Sequence, residues 1–172
     1  MAIISIFGLA GTGTSTCGRL LASELDYKFY STGKIFREIA EENEMTLYEY
    51  EKLVHVDHNI DTDFDKRIQE LGLREDNFVI DSRLAWFFIP HSRKIKLETD
   101  LEIRISRVAS RDKISYEEAL EKTLVREADH FERYHKIYPE IQDYSADNNF
   151  DLVIDSGKSS PDEIVKKIIS II

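Results

Sequence analysis

The 172-residue chain is poor in the features that mark secreted and membrane proteins. Its single cysteine, Cys17, excludes an intramolecular disulfide and favours a reducing compartment. We expect Cys17 to be a small apolar residue packed on a helix. The opening apolar run, residues 2–7, has no basic segment and is far shorter than the roughly 20 residues of a membrane span. The sequence thus predicts a cytoplasmic protein with neither a signal peptide nor a transmembrane span.

Basic residues are also scarce, because 23 Lys and Arg face 33 Asp and Glu, a net charge of −10. Such a surface disfavours association with nucleic acid or with an anionic membrane. Hydrophobic residues make up 42% of the chain, an ordinary globular proportion. The length suits a single domain over residues 1–172, which we expect to be a monomer.

Short β-branched runs bounded by turn residues alternate with helical patterns along the chain. The runs predict five strands, at residues 2–7, 28–30, 78–81, 94–97 and 150–154. Strands separated by helices predict a parallel sheet covered on both faces, a three-layer α/β/α fold. Two mostly helical stretches without a core strand, residues 38–71 and 115–138, are interpreted as excursions from this sheet.

Several helix boundaries are marked by capping patterns. Ser or Thr followed three residues later by Glu predicts a helix start at four places: Thr46, Thr99, Ser115 and Ser160. Gly72 is predicted to end the helix that begins near Asp57. The helix after Thr99 is expected to bury Leu101, Ile105 and Val108.

A glycine-rich loop follows the first predicted strand: Gly8-Leu9-Ala10-Gly11-Thr12-Gly13-Thr14-Ser15-Thr16. Three glycines allow a tight turn that aims backbone N–H groups at phosphate oxygens, and the helix after it adds a positive N-terminus. The loop nearly fits the P-loop pattern, in which Ser15 would coordinate Mg²⁺, but Thr14 replaces the lysine. The dinucleotide fingerprint fits less well, because Thr16 stands where a glycine is needed.

The missing lysine directs attention to the arginines, because phosphoryl transfer needs cationic partners. Arg126 and Arg133 are seven residues apart on one helical face, where their guanidinium groups could contact a polyphosphate. Arg104, Arg107 and Arg111 form a similar stripe on the preceding helix. For Arg104 and Arg111 we favour an exposed, ion-paired surface.

Polar residues at the end of the third strand are further candidates, because strand carboxyl ends face the ligand crevice in α/β sheets. Asp81 would hold a Mg²⁺-bound water and Arg83 an acceptor phosphate, although a turn-forming role also explains Asp81. Arg37, on the helix after Ser31, is another candidate phosphate ligand.

Three acidic residues, Asp57, Asp61 and Asp65, repeat along one predicted helical face. A carboxylate can accept a hydrogen bond from the amino group of cytosine. A solvated helix face explains the pattern equally well. Of the three, Asp61 is the one that we assign to the substrate.

Taken in order, four segments resemble the nucleoside monophosphate kinases, and the archaeal-type cytidylate kinases above all. They are Gly8–Thr16, Tyr30–Arg37, Val79–Trp86 and Arg126–Tyr134. That family also has threonine in place of the P-loop lysine, as at Thr14. Ser82 and His130 depart from its pattern, which has glycine and an acidic residue there.

The resemblance implies an adenylate-kinase-like fold with a helical monophosphate-binding region at about 31–71 and a mobile helical lid at about 112–138. It implies ATP with Mg²⁺ as donor, and CMP, with dCMP, as acceptor. Residues 8–16 would bind ATP, with Ser15 and Asp81 at the metal. Ser31, Arg37, Asp61 and Arg83 would bind the acceptor, and Arg83, Arg126 and Arg133 would stabilise the transferred phosphoryl group.

Two alternatives stay open. One is a P-loop kinase for another small acceptor, such as UMP, AMP or a different metabolite. The other is a nucleotide-binding switch that transfers no phosphoryl group to a small molecule. The switch leaves Arg37, Arg83, Arg126 and Arg133 without a joint task.

Overall fold

The computed structural model describes residues 2–56 and 58–172, without the side chains of residues 48, 51, 55, 56, 58–61 and 63. Five parallel strands form one sheet in the order β2-β3-β1-β4-β5. The strands are β1 (Ile3–Phe7), β2 (Lys28–Ser31), β3 (Phe78–Asp81), β4 (Arg93–Glu98) and β5 (Leu152–Asp155). All five predicted strands are confirmed, with ends that differ from the predicted ones by two residues at most.

Helices cover both faces of the sheet, so the predicted three-layer α/β/α fold is confirmed. The helices are α1 (Thr14–Leu25), α2 (Thr32–Glu42), α3 (Leu47–Val56), α4 (His58–Arg74), α5 (Ala85–Phe88), α6 (Leu101–Asp112), α7 (Tyr116–Ile137) and α8 (Pro161–Ile169). A single turn of 3₁₀-helix, Asp147–Asn149, precedes β5. None of the described helices is both long and apolar enough to cross a membrane.

Every residue of β1 is buried, because helices pack against both faces of the sheet. Against one face pack α1 and α8, through Leu21 and Ile168 among others. Against the other pack α4 and α5, through Ile68 and Ala85. Complete burial of an Ile or Leu side chain contributes about 1.5–3 kcal/mol to the free energy of unfolding, so the apolar residues of this central strand stabilise the fold. Cys17 is buried in the α1 face as expected, and burial raises the pKa of its thiol to about 11.

Three of the four capping predictions are confirmed. Ser160 and Glu163 form a complete capping box, Thr46 and Glu49 bond each other in the same way, and Ser115 accepts from the Glu118 N–H. The prediction for Thr99 is wrong by one position, because Asp100 is the N-cap of α6.

Two further predictions are wrong, one for Leu101 and one for Gly72. Leu101 begins α6 but is 39% exposed, whereas Ile105 and Val108 are buried as predicted. Gly72 does not end α4, which continues to Arg74. Instead Gly72 is buried where α4 crosses Ile89, and a Cβ there would lie 2.8 Å from Ile89 Cγ1.

Replacement of Gly72 by alanine tests this reading of the crossing. In an exposed helix, alanine would be more stable than glycine by about 1 kcal/mol. Here we expect Gly72→Ala to lower the free energy of unfolding by about 1–3 kcal/mol, since the added methyl group must displace a fully buried Ile89. Urea denaturation measures the change.

Leu73→Ala is the matched control, because Leu73 is the next residue of the same helix and is 77% exposed. We expect its unfolding free energy to stay within about 0.5 kcal/mol of the parent. Equal or greater stability of Gly72→Ala would show that the crossing has room for a side chain.

Candidate active site

The glycine-rich loop connects β1 to α1 through a tight turn. Gly11 and Gly13 have φ of +86° and +89°, which other residues rarely adopt. Both the N–H and the hydroxyl of Thr12 donate to the Leu9 carbonyl, at 3.2 and 2.8 Å. Gly13 is the N-cap of α1, and no side chain caps the helix. The first N–H groups of α1 are therefore oriented to receive an anion.

The loop forms one wall of a cleft of about 590 Å³. Its described lining includes all residues of the loop, Gly8 to Thr16, but only two acidic residues, Asp65 and Asp81. Seven arginines line it as well: Arg19, Arg37, Arg83, Arg107, Arg111, Arg126 and Arg133. In a chain with a net charge of −10, this local excess of guanidinium groups indicates a polyanionic ligand.

A cluster of oxygen ligands lies beside the loop, at the carboxyl end of β3. Asp81 Oδ2 accepts hydrogen bonds from Ser15 Oγ and, at 3.3 Å, from Ser31 Oγ. Parallel pairing of β2 with β3 sets Ser31 directly opposite Asp81, which explains the second contact. Thr32 Oγ1 donates to the Asp81 carbonyl, at 3.1 Å, and fixes the strand end further.

This donor set fits Mg²⁺, which prefers oxygen ligands and keeps several waters. Within the described residues, no group of three or more His, Cys, Asp or Glu side chains converges on one point. A cation held by Ser15 and Asp81 would therefore complete its shell with water and with phosphate oxygens of a ligand.

Arg83 follows β3, is half-buried and lines the cleft. Its Nη1 has no hydrogen-bond partner among the residues that the structure describes. Burial raises the pKa of the neighbouring Tyr144, whereas the Arg83 guanidinium opposes that shift. A buried guanidinium nitrogen needs an acceptor, and a bound anion would supply one.

Helix α7 brings Arg126, His130 and Arg133 to the same cleft. Arg126 is half-buried, and the other two are buried. Arg133 stacks over the ring of Tyr134, with 5.5 Å between its Cζ and the ring centroid. Asp129, which shares their predicted face, is absent from the described lining.

Arg37 of α2 and Arg126 of α7 approach one carboxylate, that of Asp112 at the end of α6. A hydrogen bond from Arg111 is the main cause that lowers the pKa of Asp112; burial opposes it, and Arg37 and Arg126 lower the pKa further. Arg111 is exposed and bonds Asp112 at 2.7 Å, so its prediction as an ion-paired surface residue is confirmed.

The same prediction is wrong for Arg104, which is buried. Its guanidinium forms an ion pair with Glu127 at 2.6 Å and donates to the Ala10 carbonyl at 3.3 Å. Arg107, one turn further along α6, donates to the Gly11 carbonyl at 3.2 Å and to the Ser156 carbonyl at 3.0 Å. The arginine stripe was visible in the sequence, but its packing against the glycine loop was not.

Of the three aspartates predicted on one helical face, Asp57 lies outside the described residues, as does the side chain of Asp61. Asp65 is 8% exposed, lines the cleft and accepts a hydrogen bond from Tyr138 Oη at 2.6 Å. A solvated face is therefore the wrong interpretation for Asp65. Beside it lie Phe36 and Phe64, whose ring centroids are 4.7 Å apart.

Arg19 is a cleft residue that the sequence analysis missed. It lies on α1 one turn after Ser15, and its guanidinium stacks over Phe29 at 5.3 Å. Its spacing of four residues from Ser15 was the available signal.

A parallel sheet whose central strand runs into a glycine-rich loop and an uncapped helix, with arginines across the cleft, defines the class of P-loop kinases. Residues 3–158 match the model of the cytidylate kinase-like family. The chain belongs to this family, and it is a phosphotransferase of the nucleoside monophosphate kinase class.

Relatives match along almost the whole chain. The cytidylate kinase of Saccharolobus islandicus (strain L.S.2.15) is 40% identical over 171 residues, which cover 98% of this chain and 89% of the relative. The cytidylate kinase of Methanobrevibacter smithii is 35% identical and covers 98% of this chain and 96% of its own length. The resemblance inferred from the four sequence segments is thereby confirmed.

Solved structures support the fold. An uncharacterized protein from Eubacterium ventriosum superposes with a TM-score of 0.73 at 22% identity, over 99% of this chain and 98% of that one. Shikimate kinase from Aquifex aeolicus superposes with a TM-score of 0.60 at 18% identity, over 98% and 94% of the two chains. At such low identity these likenesses show the P-loop kinase fold and nothing finer.

Gly11 and Gly13 offer a matched pair of substitutions, because both have positive φ but only one touches a neighbour. A Cβ on Gly11 would lie 2.4 Å from the Arg104 carbonyl oxygen, whereas a Cβ on Gly13 meets nothing within 4 Å. We expect Gly13→Ala to cost about 1–2 kcal/mol of backbone strain. Gly11→Ala adds a clash with backbone, so we expect a larger loss of both stability and nucleotide affinity.

Urea denaturation and calorimetric titration with ADP measure the two losses. The Gly13→Ala variant is the control for positive φ alone. Equal losses in both variants would show that contact between the loop and α6 is unimportant.

Proposed function

We propose that the enzyme transfers the γ-phosphoryl group of ATP to CMP, and to dCMP, with Mg²⁺. One observation carries the proposal: a single cleft joins an uncapped phosphate loop to Arg83 at one strand end and to Arg126 and Arg133 on α7. The relatives from Saccharolobus islandicus and Methanobrevibacter smithii are named cytidylate kinases, which supports the choice of acceptor.

Donor phosphates would lie along residues 8–16, where backbone N–H groups and the start of α1 favour negative charge. Thr14 brings no positive charge to the loop, so the arginines across the cleft would neutralise the transferring group. Ser156 and Ser159 line the cleft beyond the loop and would flank the nucleoside of the donor.

Ser15 and Asp81 would hold the metal ion together with the donor phosphates. The chemistry that a metal ion held by these two residues would supply is positive charge next to the donor phosphates. Ser31 would keep the Asp81 carboxylate oriented through its hydrogen bond.

The reaction would be an in-line displacement. An oxygen of the CMP phosphate forms a bond to the γ-phosphorus while the bond from that phosphorus to the bridging oxygen breaks, and ADP leaves with the electron pair. The acceptor phosphate is already ionised at neutral pH, so the reaction needs no strong general base. Positioning and charge stabilisation by Arg83, Arg126 and Arg133 would then supply the catalysis.

The acceptor phosphate would contact Arg37 and Arg83, near Ser31. For the base we propose Asp65, the described carboxylate among the aromatic rings of Phe36 and Phe64. Its carboxylate would accept a hydrogen bond from the amino group at C4 of cytosine. Uracil presents a carbonyl oxygen at the same position, which a carboxylate repels. Asp61 keeps its assignment to the acceptor as a prediction.

Residues 31–71 would form the acceptor-binding region and residues 112–138 a lid. The hydrogen bond from Tyr138 to Asp65 joins the end of α7 to α4 and would hold the two regions together. Closure would exclude water and thereby protect ATP from hydrolysis.

A coupled assay of ADP release, with ATP, Mg²⁺ and a panel of monophosphates, tests the proposal. We expect release with CMP and dCMP, and much slower release with UMP or AMP. Preference for UMP, AMP or another acceptor would overturn the CMP assignment. Equal release without any acceptor would identify a nucleotide-binding switch instead.

Asp65→Asn tests the reading of the base. Asparagine keeps the shape and can still accept from Tyr138, but its amide also offers a donor to the O4 of uracil. We expect the ratio of kcat/KM for CMP over UMP to fall about 10-fold or more, as a lost base contact of about 1–3 kcal/mol implies. Steady-state kinetics with both acceptors measure the ratio.

Glu70→Gln is the matched control, because Glu70 is an exposed acid on the same helix. Its ratio should equal that of the parent enzyme. An unchanged ratio in Asp65→Asn would remove Asp65 from base recognition.

Arg126→Met tests charge stabilisation in the transition state. We expect kcat to fall by a factor on the order of 1,000, as for other transition-state arginines, while KM for CMP changes much less. Lys122→Met, one turn earlier on α7 and outside the described cleft lining, should keep the parent rate. Near-parent turnover of Arg126→Met would show that Arg126 does not act on the transferring group.

A further inference from the structure

A buried ion pair joins α6 to α7 directly behind the glycine loop. We propose that Arg104 and Glu127 form a positioning pair, which aligns Arg126 with the loop and couples nucleotide binding there to the placement of α7. The role assigned to Arg126 rests on the proposed function, but the coupling itself does not. Neither residue lines the cleft, so each would act through its neighbours.

The pair has the geometry of a specific contact. Arg104 Nη1 donates to Glu127 Oε1 at 2.6 Å and Nη2 to Oε2 at 3.4 Å, so two parallel bonds orient both side chains. The two side chains are only 8% and 15% exposed. The pair of Lys122 with Glu118 on α7 is 61% and 46% exposed and has no such constraint.

The same guanidinium also holds the glycine loop. Arg104 Nη1 donates to the Ala10 carbonyl. The Ala10 carbonyl and the Gly11 N–H belong to one planar trans peptide, so they point in opposite directions. The bond that holds the carbonyl therefore also fixes the direction of the Gly11 N–H. Arg107 holds the Gly11 carbonyl in the same manner. Two successive loop peptides are therefore oriented by α6.

Apolar packing joins these parts. Ala10 packs against the buried cluster of Ile105, Val108 and Ala119, which lies between α6 and α7. The Gly11 backbone touches the Arg104 backbone so closely that a Cβ has no room. A movement of the loop when phosphate binds would therefore reach Glu127, and Arg126 is the adjacent residue on α7.

Stability alone does not account for such a pair. Buried ion pairs can often be replaced by apolar residues at little cost, whereas loss of one partner is strongly destabilising because it leaves the other charge buried and unpaired. The fixed geometry of the pair fits a role in setting the register between two helices. A stabilising role predicts that replacement of both partners lowers stability, whereas a positioning role predicts that it lowers kcat while stability is kept.

The decisive variant is therefore Arg104→Met combined with Glu127→Leu, which leaves no unpaired buried charge at the position of the ion pair. We expect it to unfold at nearly the parent urea concentration, but to lose about 10- to 100-fold in kcat, the loss typical of a misplaced catalytic group, with a smaller change in KM for CMP. Arg104→Lys keeps the charge but not the two parallel bonds, so its kcat should lie between that of the parent and that of the double variant. Lys122→Gln is the control and should match the parent.

Hydrogen exchange gives a readout that needs no phosphoryl transfer. In the parent protein, a non-hydrolysable ATP analogue should slow exchange of the α7 amides, because nucleotide at the loop steadies the helix through the pair. The double variant should still bind the analogue but show no slowing in α7. Lys122→Gln should retain it.

Each outcome decides a separate claim. Parent-like kcat and retained slowing in the double variant would overturn the positioning pair, even if CMP is the acceptor. Loss of kcat that merely follows loss of folded protein would also overturn it. Conversely, slowing in the parent that the double variant lacks would sustain the coupling even if no monophosphate is phosphorylated, which would refute the proposed function alone.

Discussion

A kinase must neutralise the negative charge of phosphate groups in its active site, and the cleft of this protein is arranged around that requirement. The chain carries a net charge of −10, yet its cleft gathers seven arginines around a glycine loop that has no lysine. Backbone N–H groups of the loop give partial charge in a fixed direction, and guanidinium groups on the facing elements give full charge. In the proposed reaction the two together replace the single lysine of other P-loop enzymes.

The parallel sheet explains why these groups meet. Carboxyl ends of parallel strands lie at one edge, so the residues after β1 and β3 reach the same cleft although they are far apart in sequence. The register between β2 and β3 sets Ser31 opposite Asp81, and the Asp81 carboxylate accepts hydrogen bonds from both Ser31 and Ser15. Helices α6 and α7 lie beside the loop. Arg104 of α6 donates to the Ala10 carbonyl in the loop and forms an ion pair with Glu127 of α7.

Much of the fold was predictable because its signals are local. A β-branched run bounded by turns identifies a strand, and a Ser or Thr with Glu three residues later identifies a helix start, as at Ser160. The glycine loop was likewise visible from its own pattern, and Arg83 from its place after a strand. The prediction for Arg126 and Arg133 rested mainly on the resemblance to the nucleoside monophosphate kinases, and all of these residues line the cleft.

What the sequence could not reveal depends on contacts between distant segments. An arginine among glutamates has the same local pattern on a solvated face as in a buried ion pair, so Arg104 was misassigned. Asp65 is buried and accepts a hydrogen bond from Tyr138, 73 positions later. Gly72 looks like a helix stop until Ile89 is found against it. None of these partners is near in sequence.

The destination of the γ-phosphoryl group distinguishes transfer to CMP from hydrolysis. With γ-labelled ATP and Mg²⁺, we expect the label to appear in CDP when CMP is present, and little of it to be released as inorganic phosphate when CMP is absent. Release of the label to water at the same rate with and without CMP would contradict it, since the arginines would then serve hydrolysis rather than transfer.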